Sequence, residues 1–110
     1  MRQQQQRQRV GTGRQREALE LRDACTLLAA RRGAQREVGG APVLEAGLGS
    51  LTVRLTPGGA SRWLEVRHEG AGDAPVLELR WSGDRHEVVA FRRGAWEGEL
   101  LGLAGRGSPR

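Results

Sequence analysis

The sequence predicts an α+β domain in which one N-terminal amphipathic helix packs on a five-stranded antiparallel β-meander. Two observations predict this fold class. Residues 14–32 contain neither Gly nor Pro and carry apolar side chains at helical spacing. After Pro42, apolar residues recur at every second position in short runs that Gly-rich turns separate. The pattern leaves open whether the sheet stays flat or curls toward a small barrel.

The predicted helix has a single apolar stripe at spacings of three and four residues. The stripe consists of Ala18, Leu21, Ala24, Cys25 and Leu28. Arg31 and Arg32 suit the negative end of the helix dipole, and Gly33 is a typical stop. Residues 33–42 are predicted to form a linker, and residues 43–46 are a short apolar piece that can pair at a sheet edge.

The strands follow from alternation between turn signals. The five predicted strands are Ser50–Thr56, Ser61–Glu69, Pro75–Ser82, Arg85–Phe91 and Ala95–Leu101. Turn length fixes register, because a slip of one residue would turn a whole apolar set outward. The predicted cross-strand neighbours are Leu51–Val66, Val53–Leu64, Leu64–Leu79, Val66–Leu77, Leu77–Ala90, Leu79–Val88, Arg80–Glu87, Trp81–His86, Ala90–Trp96 and His86–Leu100. These registers place the apolar residues on one common face.

The opposite sheet face is predicted to be polar apart from an apolar patch. Its polar residues are Thr52, Arg54, Glu65, Arg67, Glu78, Arg80 and Glu87. The patch consists of Trp63, Val76, Val89, Phe91 and Leu101, with Trp96 added on the last strand. In these registers Val76 lies opposite Phe91, so the patch is contiguous. Exposed aromatic and aliphatic side chains on a sheet face are typical of a binding surface. The alternative is that the 33–46 segment folds back and covers them.

The positive charge of the chain lies at its N-terminus. Residues 1–16 hold five Arg and no acid, while the other 13 Arg balance all 13 acids. Residues 1–13 are predicted to be a disordered Gln/Arg tail because they offer little apolar surface for burial. Residues 104–110 are predicted to be a flexible C-terminal tail, which leaves 14–103 as a single domain.

Basic residues that could bind phosphates form a second candidate site. They are Arg2, Arg7, Arg9, Arg14, Arg16, Arg92 and Arg93. Lys, Asn, Ile and Tyr are absent together, which indicates a GC-rich coding region. The all-Arg set is therefore no sign of selection for phosphate recognition. A solvated tail without a ligand explains the same charges.

No pattern in the sequence predicts catalysis, a cofactor or a metal. His68 and His86 are predicted at opposite ends of the sheet, and Cys25 lies on the apolar helix stripe without a basic partner. The Gly clusters match no phosphate-binding loop.

The expected function is a non-enzymatic protein-interaction module that uses the apolar patch to bind a protein partner or, weakly, itself. The alternative is nucleic-acid binding through the Arg-rich tail. An intracellular location, cytoplasmic or nuclear, is expected because the sequence has no signal-peptide pattern, no membrane-spanning apolar run and one cysteine.

Overall fold

A computed structural model describes residues 2–105, with side chains from residue 13 onward. The elements are α1 (Arg2–Arg32), β1 (Ala34–Val38), β2 (Ala41–Leu48), β3 (Leu51–Leu55), β4 (Ser61–His68), a 3-10 turn (Glu69–Ala71), β5 (Leu77–Ser82), β6 (Arg85–Phe91) and α2 (Trp96–Leu103). The predicted disordered tail of residues 1–13 lies outside the residues described with side chains, apart from Gly13. The last five residues of the predicted C-terminal tail are also outside the description.

The six strands form one open antiparallel sheet in which each strand pairs with the next along the chain. The α+β class and the meander are confirmed, but the sheet has six strands instead of five. Residues 34–38, predicted as linker, form β1, because the adjacent glycines Gly39 and Gly40 adopt φ values of 60° and 84° and close a tight hairpin onto β2. The short apolar piece 43–46 is the middle of β2 and lies inside the sheet.

The apolar stripe of α1 packs on one face of this sheet. All five predicted stripe residues are buried, and Ala29 extends the stripe toward the C-terminal end. The helix ends at Arg32, and the backbone N–H of Gly33 donates to the carbonyl oxygen of Ala29 at 2.8 Å. A Cβ atom at Gly33 would lie 2.4 Å from that oxygen. Glycine is therefore required where the chain leaves the helix.

The central registers agree with the sequence prediction. Leu64 pairs with Leu79, and Val66 pairs with Leu77. The β5–β6 hairpin pairs Leu79 with Val88, Arg80 with Glu87 and Trp81 with His86.

Two predicted registers are wrong. Val53 pairs with Val66 instead of Leu64, and Leu51 pairs with His68 instead of Val66. This shift of two residues keeps the side chains of Val53 and Val66 on the core face. Between β5 and β6 the register slips by one residue, because Leu79 pairs with Val88 while Glu78 pairs with Ala90. Val89 is the extra residue of a β-bulge, and Leu77 consequently faces Phe91 instead of Ala90.

The predicted fifth strand, Ala95–Leu101, is wrong, because this segment forms the helix α2. Trp96 and Leu100 of this helix and Ala104, which caps its C-terminal end, are four positions apart and all buried, which fits one face of a helix. The carboxylate of Glu97 accepts a hydrogen bond from the backbone N–H of Gly94 at 3.2 Å, next to the helix start. An acid at this end also suits the helix dipole.

Buried side chains of both helices and of the inner face of the sheet form one hydrophobic core. The predicted pairs Ala90–Trp96 and His86–Leu100 do not form, and β6 becomes a sheet edge. We call the sheet face opposite α1 the outer face. Among the described residues, no helix has the length and apolarity that a membrane crossing requires.

Candidate functional site: the outer face of the sheet

The structure separates the five residues predicted as an apolar patch. Trp63 lies on the outer face, opposite Arg80, and is half-buried. Val89 is 42% exposed at the bulge. Val76 is only 2% exposed and belongs to the core. Phe91 and Leu101 are half-buried and pack against the same core.

The bulge explains the orientation of Phe91. A strand turns successive side chains to opposite faces, so one inserted residue reverses the face of every residue that follows it. Phe91 therefore shares the inner face with Leu77. Its ring makes an edge-on contact with Trp96 at 6.4 Å between centroids. The prediction that Phe91 points away from the helix is wrong.

Val76 and Leu101 fail for separate reasons. Strand β5 begins at Leu77, so the two-residue alternation that placed Val76 outward does not extend to it. Its N–H donates to the carbonyl oxygen of Val66 at 2.9 Å, which ties it to β4. Leu101 lies on α2, where a helical period replaces the strand period. Neither residue contributes to an outward patch.

A ladder of paired charges covers the first half of the outer face. It consists of Arg36, Glu45, Arg54, Glu65 and Arg67, which we call the charge ladder. The Nε atoms of Arg54 and Arg67 lie 2.8 Å and 2.7 Å from carboxylate oxygens of Glu45 and Glu65. Arg36, on the edge strand β1, lies with its guanidinium 3.2 Å from a carboxylate oxygen of Glu45. The side chain of Glu65 is 7% exposed. Arg67 donates the hydrogen bond that a buried carboxylate requires, and Arg54, with Nη1 3.7 Å from Glu65, adds a second positive charge.

The second half of the outer face carries a groove, which we call the Trp63 groove. Its outer-face lining consists of Ser61, Trp63, Arg80, Ser82, Arg85 and Glu87. Arg62, Trp81 and His86 complete the lining, and the volume of the whole groove is about 480 Å³. These residues lie at the ends of β4, β5 and β6 next to the Gly83-Asp84 turn. Among the described residues, Arg80 and Arg85 form no salt bridge, although Glu87 lies opposite Arg80 in the register.

The indole of Trp63 is fixed in place. Its Nε1–H donates to a carboxylate oxygen of Glu78 at 2.9 Å. Its backbone N–H donates to the hydroxyl of Thr56 at 3.0 Å. The groove therefore presents a fixed aromatic ring on β4 next to Arg80 on β5 and Arg85 on β6, two arginines that have no carboxylate partner in the described part of the chain.

The sequence analysis missed this arrangement in part. It placed Trp63, Arg80 and Glu87 on the outer face but read Trp63 as the start of an apolar patch. The alternation of Arg85–Phe91 was enough to add Arg85 to the same face, since Arg85 and Glu87 are two residues apart.

His86 lies on the other side of the sheet, in a cluster with α1. A guanidinium nitrogen of Arg22 lies 2.8 Å from its Nε2, and the guanidinium groups of Arg22 and Arg62 both lie over the ring of Trp81, at 5.2 Å and 5.5 Å from its centroid. His68 pairs with Leu51 on β3. Within residues 13–105, no cluster of three or more His, Cys, Asp or Glu side chains is arranged to hold a metal ion.

The described residues of the basic set make contacts within the chain. The guanidinium groups of Arg14 and Arg93 lie over the ring of Phe91, at 5.6 Å and 5.0 Å from its centroid. Arg93 also forms salt bridges with Glu17 at 2.6 Å and Glu97 at 2.8 Å. Arg92 donates to the carbonyl oxygen of Ala71 at 3.3 Å. Arg16 is exposed, and the side chains of Arg2, Arg7 and Arg9 lie outside the described residues.

No family of proteins, curated protein sequence or solved structure matches this chain.

Proposed function

We propose that this chain is a non-enzymatic protein-interaction module that binds an acidic segment of a partner protein in the Trp63 groove. The observation that supports this proposal is the contrast within the outer face. Arg36, Arg54 and Arg67 are held in the charge ladder, whereas Arg80 and Arg85 line the groove with Trp63 and form no salt bridge to any described residue.

The chemistry of the groove suits carboxylates on an extended chain. Guanidinium groups bind carboxylates through paired, charge-assisted hydrogen bonds. The Trp63 ring offers an apolar surface for the intervening side chain, and Trp and Arg are the residues that most often dominate binding energy at interfaces. The hydrogen bond from Trp63 to Glu78 holds the ring in one orientation, which lowers the entropy lost on binding.

The proposed binding surface differs from the apolar patch that the sequence predicted, because it combines one aromatic ring with two arginines. Of the five predicted patch residues, Trp63 lines the groove and Val89 stays exposed. The other three contribute to the core. The partner is therefore expected to carry acidic residues next to an apolar one.

Nucleic-acid binding through the basic set is the other candidate. Three of its described members, Arg14, Arg92 and Arg93, already contact Phe91, Glu17, Glu97 or a backbone carbonyl. Because these arginines already have partners within the chain, nucleic-acid binding is the weaker candidate. The test below includes it as one of its outcomes.

Selection from a random dodecapeptide library on the full chain tests the proposal. Enriched peptides are expected to carry Asp or Glu within two residues of an aromatic or aliphatic residue. The double variant Arg80→Ala/Arg85→Ala is expected to weaken their binding by about tenfold or more. The double variant Arg31→Ala/Arg32→Ala removes the same charge from the exposed end of α1 and should leave binding unchanged.

A single-stranded oligonucleotide is titrated in parallel. The proposal is wrong if no peptide is enriched, if the enriched peptides lack acids, or if both double variants weaken binding equally. Oligonucleotide binding without peptide binding would replace the protein partner with a nucleic acid.

A further inference from the structure

Strand β1 is an edge strand that lies open on both faces. All five of its residues are exposed, and β2 is its main neighbour. It pairs with β2 without a bulge from Ala34 to Val38. It contains neither Pro nor Lys. Proline, lysine and bulges are devices with which proteins block a sheet edge against another strand. The charged residues of β1 are Arg36, which is paired with Glu45, and Glu37.

The opposite edge is protected. Strand β6 carries the bulge at Val89. A guanidinium nitrogen of Arg14 lies 3.5 Å from the carbonyl oxygen of Phe91 and donates to it. The two edges of one sheet therefore differ, and of the two only β1 offers a regular ladder without a bulge.

The β1–β2 hairpin determines which backbone groups face the open side. In a two-residue hairpin, the residues that flank the turn are hydrogen-bonded to each other, and bonded and non-bonded pairs then alternate along the strands. Here Val38 and Ala41 flank the turn at Gly39-Gly40. The N–H and C=O groups of Gln35 and Glu37 consequently point away from β2.

We infer that a second copy of this chain adds its own β1 to this edge, antiparallel and centred on Arg36. In that register Gln35 lies opposite Glu37 of the second copy, and their outward backbone groups form the hydrogen bonds of a new ladder. Ala34 lies opposite Val38 of the second copy. The two Arg36 side chains face each other, and Glu45 of the same copy lies 3.2 Å from each, which reduces the repulsion between them.

The symmetry of this pairing has a consequence for the outer face. Antiparallel pairing of identical strands places the two-fold axis perpendicular to the sheet, so both outer faces lie on the same side. The Trp63 grooves of the two copies then face one direction, at the far ends of a shared sheet. The inference itself rests on β1 and does not depend on the proposed function.

Light scattering and sedimentation of the full chain test the inference across about 10 µM to about 1 mM, the range expected for a small interface. The mass is expected to rise toward that of a dimer. Gln35→Pro removes the outward N–H at a position where an edge strand tolerates proline, and it should lower the association constant by at least about tenfold. Gln35→Ala keeps the N–H and should retain association.

A monomeric mass over the whole range would overturn the inference, as would equal loss of association in Gln35→Ala and Gln35→Pro. If circular dichroism shows that Gln35→Pro is misfolded, amide hydrogen exchange of the unaltered chain tests the pairing instead. Protection of Gln35 and Glu37 that rises with concentration supports the pairing, and protection that is independent of concentration contradicts it.

Discussion

At the scale of single residues, Phe91 is the position where sequence and structure differ most for function. The one-residue slip at Val89 turns its ring from the outer face to the core, where it contacts Trp96. The alternation in Arg85–Phe91 carries no sign of this slip, because a bulge changes the partner of a residue and leaves the residue types unchanged. Phe91 is consequently a packing residue.

Phe91→Ser is expected to lower the free energy of unfolding by about 2–4 kcal/mol, because the substitution removes a large ring that packs against the core. Urea denaturation measures this change. Val89→Ser, two residues away and exposed, should cost less than about 0.5 kcal/mol. Similar costs for the two variants would place Phe91 on the outer face after all.

Cys25 predicts an unusual dependence of stability on pH. Burial raises the pKa of its thiol because the apolar core disfavours the thiolate. The unfolded chain loses this proton above about pH 8.5, while the folded chain retains it. The contribution of Cys25 to the free energy of unfolding is therefore constant below that pH and falls as the pH rises above it.

The chain has no Tyr and no Lys, so Cys25 is the one side chain that titrates between about pH 8.5 and pH 11. Urea denaturation under reducing conditions should show the free energy of unfolding falling by up to about 1.4 kcal/mol per pH unit there. Cys25→Ala should flatten the slope. A slope that persists in this variant would contradict the assignment.

At the scale of elements, the strands between two well-defined turns were the predictable part. Arg85–Phe91 agrees with β6 at both ends, since Gly83 fixes one turn and the strand alternates as far as Val88. The segment after Gly94 was ambiguous, because Trp96, Gly98 and Leu100 alternate as a strand would while Trp96, Leu100 and Ala104 also fit a helix. Tertiary packing against α1 and Phe91 favours the helix.

Gly98→Ala and Gly102→Ala test this element directly. Both glycines are exposed on α2, and a Cβ atom at either position would meet no atom within 4 Å. Each substitution should raise the free energy of unfolding by about 0.5–1 kcal/mol, because alanine favours helix over glycine. Thermal unfolding measures the gain. Gly33→Ala, where a Cβ atom would clash with Ala29, should destabilise, and a loss of stability at Gly98 or Gly102 would argue against the helix.

The candidate site was predictable only in outline. The alternation placed Trp63 and Arg80 on the outer face, because period-two patterns are reliable inside strands. Which arginines find carboxylate partners depends on neighbours several strands apart. Glu65 is buried between Arg54 and Arg67, whereas Arg80 and Arg85 are not paired with any described residue. No local pattern in the sequence carries that difference.

At the scale of the whole molecule, the described contacts between α1 and the rest of the fold start part-way along the helix. Ala18 is the first buried residue among those described, and Arg14 makes the first contact with the sheet side of the core. Residues 1–13 carry Arg2, Arg7 and Arg9, three of the 18 arginines.

Deletion of residues 1–13 is expected to leave the melting temperature within about 2 °C of the full chain, because no described buried residue is removed. The same deletion should abolish any binding of single-stranded DNA or RNA that the full chain has, with its steep salt dependence. Retained binding would move the nucleic-acid surface onto the folded body, and a large fall in melting temperature would show that the deleted residues support the core.

The central claim is that the outer face binds its partner through the Trp63 groove. Nuclear magnetic resonance of the isotopically labelled full chain, titrated with the enriched acidic peptide, tests it most directly. Amide shifts are expected to change at residues 61–63, 80–82 and 85–87, and to leave residues 14–17 and 91–93 unmoved. Changes centred on Phe91 and its arginines, or confined to β1, would contradict the claim.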